Sequence, residues 1–566
     1  MSYFYCSSFN LTPETSNNFK SGFSNEITHL LNGISLNTSG SNVYRWANNS
    51  GNRGAILVGL PLIVDNSGVN TPYANKIEML DNPEEYFKKY QGHFIVIYWD
   101  EQFLTIISDP LGLRDFYLKV TGENFELSTS PQKLEKSLEL DFEQFGGRWL
   151  LINQVSYGSI FKRLERICCG AGIKIDLRKN EISKFKVSLF NDFDFSENNA
   201  NVEQFKEKLQ GLLNACSAPF NLSLSGGLDS RLLLSLSNKS SNLYLHSFGK
   251  NSEKDVIIAS QIAEKLQIYH EVLNHSFSSV EEEVNFFKES SKFHLFTQPF
   301  FPVLRLANYN LVSHNGLIAD GGFGELWRRE FLNRVYYKSM LSPGKKIANL
   351  LNESMVFNRV DIFDSGVVHE MQKGASNQIE EVLTNFSGKI SLSDKLDLLS
   401  LMCRLPNLYA AEQTRLDSTG KTAFMPYVQR DLLKLLFTVP KNRRKNGKLF
   451  KQIINSENRF LAEFPLAKND ILVPFNYGSL RSRIYRKIKN RTQRNNREIE
   501  FKLDYFLRNE DYLRSEVFQR ATGFSGFYNK EKISKIFSGF YAGNYQLINE
   551  FEWFISFELT RQKLGI

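Results

Sequence analysis

The sequence predicts an α/β C-terminal domain with a parallel sheet, set behind an N-terminal α+β sandwich domain. Three observations predict it. Residues 1 to about 190 read as short apolar strands separated by turns. From about Asn201 the pattern changes to strands alternating with amphipathic helices, the mark of a parallel sheet. At one strand-to-helix junction stands SLSGGLDS, Ser223 to Ser230, a turn whose residue types suit an anion.

In the first part, MSYFYC reads as an opening strand that contains Cys6. GHFIVIYWD, Gly92 to Asp100, is apolar enough for a buried strand, and FLTIISDPLGLRDFYLKV follows as the next one with a Pro-Gly turn. FELSTS and AGIKIDL supply two more. In the second part the order is NVEQFKEKLQGLLNAC helix, NLSLS strand, RLLLSLSN helix, NLYLHSFG strand, SEKDVIIASQIAEKLQ helix and IYHEVL strand. NGLIADGGFGELW adds a strand and loop before a mostly helical stretch from about 335 to 440. Ligands of such sheets bind outside the carboxyl ends of the strands. The Ser225 turn, the Ser247-Phe248-Gly249 segment and the Asp320–Glu325 loop all fall there.

The turn itself is read from its chemistry. A strand that ends into a helix leaves free backbone N–H groups and a positive helix end. Gly226 and Gly227 allow close main-chain approach to a phosphate, and Ser225 and Ser230 add hydroxyl donors. Bare phosphate repels Asp229, so its presence implies a bridging Mg²⁺. No GK[ST] follows the glycines, which excludes a Walker A loop.

At 566 residues the chain exceeds one core, and the expected division is 1–195, 196–475 and a basic, helical extension over 476–566. Hydrophobic content of 42% and a mean hydropathy of −0.32 describe an ordinary globular protein. No apolar run is long enough to cross a bilayer, and the start lacks a leader's basic and apolar regions, so a cytoplasmic enzyme is the expectation. Five cysteines without CxxC spacing give neither a disulfide framework nor a zinc site, and Cys168-Cys169 reads as a pair of buried thiols. The net charge is +8, with a basic run from Arg481 to Arg497. Without interleaved aromatics that run reads as a solvated helix face or connector, not as a nucleic-acid platform.

The SLSGGLDS turn resembles the pyrophosphate loop of the ATP pyrophosphatase (PP-loop) enzymes. From about Asn201 to Pro474 the chain resembles the synthetase domain of the asparagine synthetase B family, whose fold is Rossmann-like. Ser247, Phe248 and Gly249 match in type the segment that frames adenosine there. Asp255, Ala259 and Ala263 match a family helix spacing, although Asp255 reads equally well as a helix N-terminal charge. ADGGFGELW resembles the loop that faces phosphates and metal, with Gly322 and Glu325 agreeing. Gly321 and Gly324 stand where the family has its catalytic Glu and metal-contacting Asp, which leaves Asp320 as the nearest carboxylate for the metal. Arg328 and Arg329 follow where the family tends to have glycines; an acidic substrate or a surface role fits them equally. GKLFKQII resembles a charge-stabilising lysine element and places Lys448 in that role, beside a reading of Lys448 as one solvated lysine in RRKNGK.

The first part resembles the glutaminase domain of the same family, with Asp109, Gly112, Tyr117 and Gly170 matching. It departs where that activity resides. Position 2 is Ser2, not a cysteine, Cys6 lies too late, and no amide-binding segment precedes Gly92. The resemblance therefore implies an Ntn-type glutaminase-like domain without glutaminase activity. It implies, further on, an AMP- and pyrophosphate-forming amide ligase that uses ATP and Mg²⁺. Asp229 and Lys448 carry the catalysis, Asp229 and Asp320 the metal. Ser223, Ser225, Gly226, Gly227, Asp229, Ser230, Ser247, Phe248, Gly249, Gly322 and Glu325 bind the nucleotide. A carboxylate-bearing substrate and ammonia or an amine donor are the remaining partners, and a homodimer is compatible. Three alternatives stand beside it: a glutamine-hydrolysing asparagine synthetase with a divergent glutaminase site, a non-catalytic nucleotide-binding or scaffold homologue, and a tRNA-modifying enzyme suggested by the basic run alone.

Overall fold

The computed structural model describes residues 1–8, 27–65, 68–70, 77–187, 193–216, 220–237, 243–313, 316–342, 344–357, 359–385, 390–468, 471–492 and 497–566. Part of the basic run, residues 493–496, lies outside them.

Two antiparallel sheets form the first part. One has the order β11-β9-β10-β1-β3-β2, from Glu165–Ile167, Phe116–Thr121, Asn124–Ser128, Tyr3–Ser7, Ile34–Ser39 and Ile27–Leu31. The other runs β13-β12-β8-β7-β5-β4, from Glu181–Lys186, Ala171–Asp176, Phe103–Ser108, Tyr90–Trp99, Gly54–Asp65 and Val43–Ala47, with β6 (Gly68–Asn70) on β5. Alternate residues of both meet face to face: Phe4, Leu36 and Phe116 of one sheet share a buried cluster with Ile56, Ile95 and Ile106 of the other. The expected sandwich is present.

One strand assignment changes. FLTIISDPLGLRDFYLKV does not stay in one sheet: β8 and β9 lie in different sheets, and Asp109 to Asp115 carry the chain between them. Asp109 is wholly buried and turns the chain with its carboxylate, which accepts N–H groups of Leu111 (3.0 Å), Leu113 (3.1 Å) and Arg114 (2.6 Å). Gly112 holds φ +71° there, a conformation that glycine adopts without strain.

The parallel sheet has the order β16-β15-β14-β17-β18, from His270–Leu273, Leu243–Phe248, Phe220–Ser223, Leu317–Ala319 and Thr422–Phe424. The chain builds outward from β14 to β16, then returns to the other side of β14 for β17. Strand order therefore reverses between β14 and β17, where a crevice opens at the carboxyl ends. The alternation of strand and helix places every element expected from Asn201 to Trp327. β18 was not expected; three residues inside a helical stretch carry too short a pattern to reveal a strand.

The last part is helical. Its closing helix, Ile548–Leu564, is buried on nearly every side. Trp553 and Phe557 pack on Trp149 with ring centroids 5.6 Å and 5.1 Å away. No described helix is long and apolar enough to cross a membrane. The cysteines are free, with Cys168 and Cys169 buried as the sequence suggests.

Candidate functional site

The Ser223–Ser230 turn joins β14 to the helix Asp229–Leu236. Leu228 caps that helix without a side-chain hydrogen bond, as a leucine must, so the helix N-terminus keeps its uncapped amides. The turn amides themselves are engaged inside the protein. Ser225 N–H donates to Ser230 Oγ (3.1 Å), Gly227 N–H to Ser225 Oγ (3.2 Å), and Gly226 N–H to Asp255 Oδ1 (3.0 Å). Asp255 is in the first turn of the helix Lys254–Leu266, so it is a helix-end charge and a partner of the turn together.

Of the other sequence landmarks at the strand ends, Ser247 touches this turn directly. Ser247 Oγ, at the end of β15, donates to Leu224 O (2.6 Å) and meets His270 Nε2 at 2.8 Å. Ser223 ends β14 opposite His246, and the half-buried Phe248 ring stands edge-on to Tyr309. Gly249 has φ +132°, and the Glu253 carboxylate fills the space where a side chain would go. Lys448 is exposed at the start of the helix Lys448–Glu457; the preceding Gly447 packs on Leu228 and Arg328. Both of its readings survive that placement.

Asp229 is where the loops after β14 and β17 touch. A Cβ on Gly321 would lie 2.7 Å from Asp229 Cβ, and one on Gly324 would lie 2.5 Å from Asp229 Cγ. Both glycines are there because the Asp229 side chain occupies the space. Arg328 then closes on that carboxylate, Nε to Oδ1 at 2.6 Å and Nη2 to Oδ2 at 2.9 Å. Burial pushes the Asp229 carboxyl up from its ordinary value, and Arg328 opposes that push. Asp320 is pushed up to about 6 by burial, against the N–H that Gly322 donates to its Oδ1 at 2.6 Å. Glu325 pairs with Arg404 at 3.0 Å.

This arrangement tests the expected magnesium. The ion needs oxygen ligands with open geometry, yet both Asp229 oxygens face a guanidinium. No group of three or more His, Cys, Asp or Glu residues that could hold a metal occurs among the described residues. These side chains do not form a resident metal site as they stand, and Arg328 supplies the positive charge.

The connections of several site residues are not visible in the sequence. Arg231, fully buried, donates to Gly226 O (3.2 Å), Leu461 O (3.0 Å), Phe464 O (2.8 Å) and Pro465 O (2.9 Å), which straps the turn to the 461–465 segment. Tyr427 donates its hydroxyl to Asp229 O (2.8 Å). Arg329 is 2% exposed and pairs with Asp397 at 2.8 Å, so neither substrate binding nor a surface role describes it. A charged residue inside an apolar run was the available signal for Arg231.

In the first part of the chain Ser2 is wholly buried. Its N–H and its hydroxyl donate to Asp417 Oδ2 (2.8 Å) and Oδ1 (2.7 Å), and Asn42 N–H donates to its Oγ (3.0 Å). Arg114 Nη1 holds Asp417 at 2.9 Å. Burial alone would raise the Asp417 carboxyl, but Arg114 and the hydrogen bonds from Asn42 and Ser2 hold it below its ordinary value. A carboxylate so stabilised is a weak base for the Ser2 hydroxyl.

No protein-family model matches the chain, and no curated protein matches it. Among solved structures, a glutamine phosphoribosylpyrophosphate amidotransferase from B. subtilis, complexed with ADP and GMP, is 11% identical over 72% of this chain and 93% of that one, with a TM-score of 0.19. An allosteric regulatory enzyme of purine biosynthesis is 11% identical over 71% of this chain and 89% of its own, with a TM-score of 0.21. Likeness at that level bears on neither fold nor activity here.

Proposed function

We propose that the chain is an AMP-forming amide ligase that binds the phosphates of ATP at the turn after β14. The observation that supports this reading is convergence. Three loops far apart in sequence, around Gly226, Asp320 and Gly447, meet at Asp229 and Arg328 in the crevice where the strand order reverses. In this reading the Asp255 carboxylate occupies the acceptor place on the Gly226 amide that a phosphate oxygen takes on binding. A substrate carboxylate attacks the α-phosphate, forming an acyl-AMP and releasing pyrophosphate; ammonia or an amine then displaces AMP. Arg328, the turn amides and Lys448 offset the negative charge that develops on the departing groups. The magnesium ion expected from the sequence belongs to the proposal only as a companion of the nucleotide, because Asp229 is already neutralised. The first domain takes no part in nitrogen supply, since Ser2 is held by a weak base.

The test is ATP–pyrophosphate exchange with candidate carboxylates. Asp229→Ala should reduce exchange by at least 10²-fold, while Ser2→Ala should stay within about twofold of the parent. Equal loss in the two variants would contradict the division between domains. A non-catalytic role has one observation in its favour, the internal pairing of Asp229 with Arg328 and of Gly226 with Asp255. Nucleotide binding without exchange for any carboxylate would favour it.

A further inference from the structure

A cavity of about 80 Å³ opens where three regions of the chain meet, and Arg114, Arg148 and Arg166 of the first part line it. Met1, His294 and Leu564 of the last helix also border it. The arginines are deeply buried: Arg114 is 4% and Arg148 5% exposed, and the Arg166 side chain 6%.

Their charges do not balance. Arg114 has Asp417, and Arg166 has Asp115 at 2.5 Å. Arg148 has no carboxylate partner among the described residues. Its Nη1 donates to Leu295 O (3.3 Å) and its Nη2 to Gln154 Oε1 (2.5 Å), both neutral acceptors. Burial, with repulsion from Arg166, pulls its guanidinium down to about 10. The two carboxylates therefore face three guanidinium groups, while Lys292 on the rim is already paired with Glu289 at 2.8 Å.

Hydrogen-bonding capacity is left over as well. Nε of Arg114, Nε of Arg148 and Nη1 of Arg166 find no acceptor. Neither ring nitrogen of His294, which is 1% exposed, has a hydrogen-bond partner. Burial holds that imidazole neutral, its pKa pushed down to about 3, so it offers one donor and one acceptor. A buried charge without a counterion and several orphaned donors around one void are strongly unfavourable unless something occupies the void. A water needs roughly 10–15 Å³ of such space, so the cavity takes a group of a few heavy atoms and not a nucleotide.

We propose that this cavity is a binding site for a small oxyanion, a phosphate or a small carboxylate, gripped by Arg148 and Arg166 between the two domains and the last helix. Guanidinium forks suit either anion through paired N–H donors. An anion bound here ties together regions distant in sequence, so its occupancy stabilises the whole native state by mass action.

The experiment is thermal unfolding of the full-length chain at fixed ionic strength, with chloride, inorganic phosphate or malonate, alongside isothermal titration with each. Wild type should rise by about 1–3 °C in phosphate or malonate relative to chloride, and the larger rise identifies the preferred anion class. Arg148→Met should lose that rise and, in chloride, unfold at or above the wild-type temperature, because an unpaired buried charge has gone. Asp229→Asn should keep the rise, which separates this cavity from the turn after β14. A rise that survives in Arg148→Met, or that vanishes in Asp229→Asn alone, overturns the proposal, as does a wild type with neither a rise nor binding heat. Should Arg148→Met fail to fold, Arg148→Lys decides: a weakened rise supports the site and an unchanged one refutes it.

Discussion

Asp417 lies on the helix Leu405–Ser418, yet its carboxylate belongs to the first domain, where it gathers Ser2, Asn42 and Arg114. Both ionic partners are within a few per cent of full burial, at 0% and 4% side-chain exposure, so removing one leaves the other charged and unpaired. Asp417→Ala is expected to cost about 3–5 kcal/mol, read as a shift in the urea midpoint. The pH dependence has a definite sign. The folded carboxyl titrates below its ordinary value near 4. The unfolded state therefore binds more protons between the two values, and the contribution is full above the ordinary value and drains as pH falls through the lower one. Wild type and Asp417→Asn should thus converge in stability on acidification below about pH 4, as denaturation at several pH values would show.

At the scale of elements, the loop from Asp320 to Glu325 shows why a missing acidic residue need not be a missing function. Gly321 and Gly324 give up side chains so that Asp229 can pass between them and reach Arg328. Restoring a carboxylate with Gly324→Asp would place its Cβ within 2.5 Å of Asp229 Cγ. The substitution is expected to destabilise by about 1–3 kcal/mol and to weaken nucleotide binding, not to create a metal site. Calorimetry with and without ATP checks both. The turn after β14 is supported on its opposite side by Arg231 and by Ala467 N–H, which donates to Gly226 O at 2.9 Å, so its shape is fixed by a segment more than two hundred residues away.

For the whole molecule, the buried clusters ignore the divisions that the sequence suggests. One runs from Leu62 of β5 to Phe475, and another joins Tyr3 and Trp149 to Trp553, Phe557 and Leu564. The closing helix presents aromatic rings to both of the preceding parts, and so behaves as core and not as an appendage. Removing residues 548–566 would expose Trp149, Phe145 and Phe296, which stack with it or with its ring partners. The truncated chain is expected to lose cooperative unfolding and to aggregate, as circular dichroism and size-exclusion chromatography would reveal.

The alternation of strands and helices after Asn201 and the SLSGGLDS turn were legible because periodicity and turn chemistry are local: each strand and its following helix declare themselves within about ten residues. The sandwich was legible for the same reason, although the passage of the chain from β8 to β9 between sheets was not, since apolar alternation does not say which sheet a strand joins. Pairing across long separations was hidden altogether. That Arg328 closes on Asp229, that Asp417 holds Ser2, and that three arginines surround one cavity depend on which surfaces pack together. Sequence alone determined which elements form and where the strand-to-helix turn lies; tertiary packing decided which charges neutralise one another, because a partner at close range outweighs any local propensity.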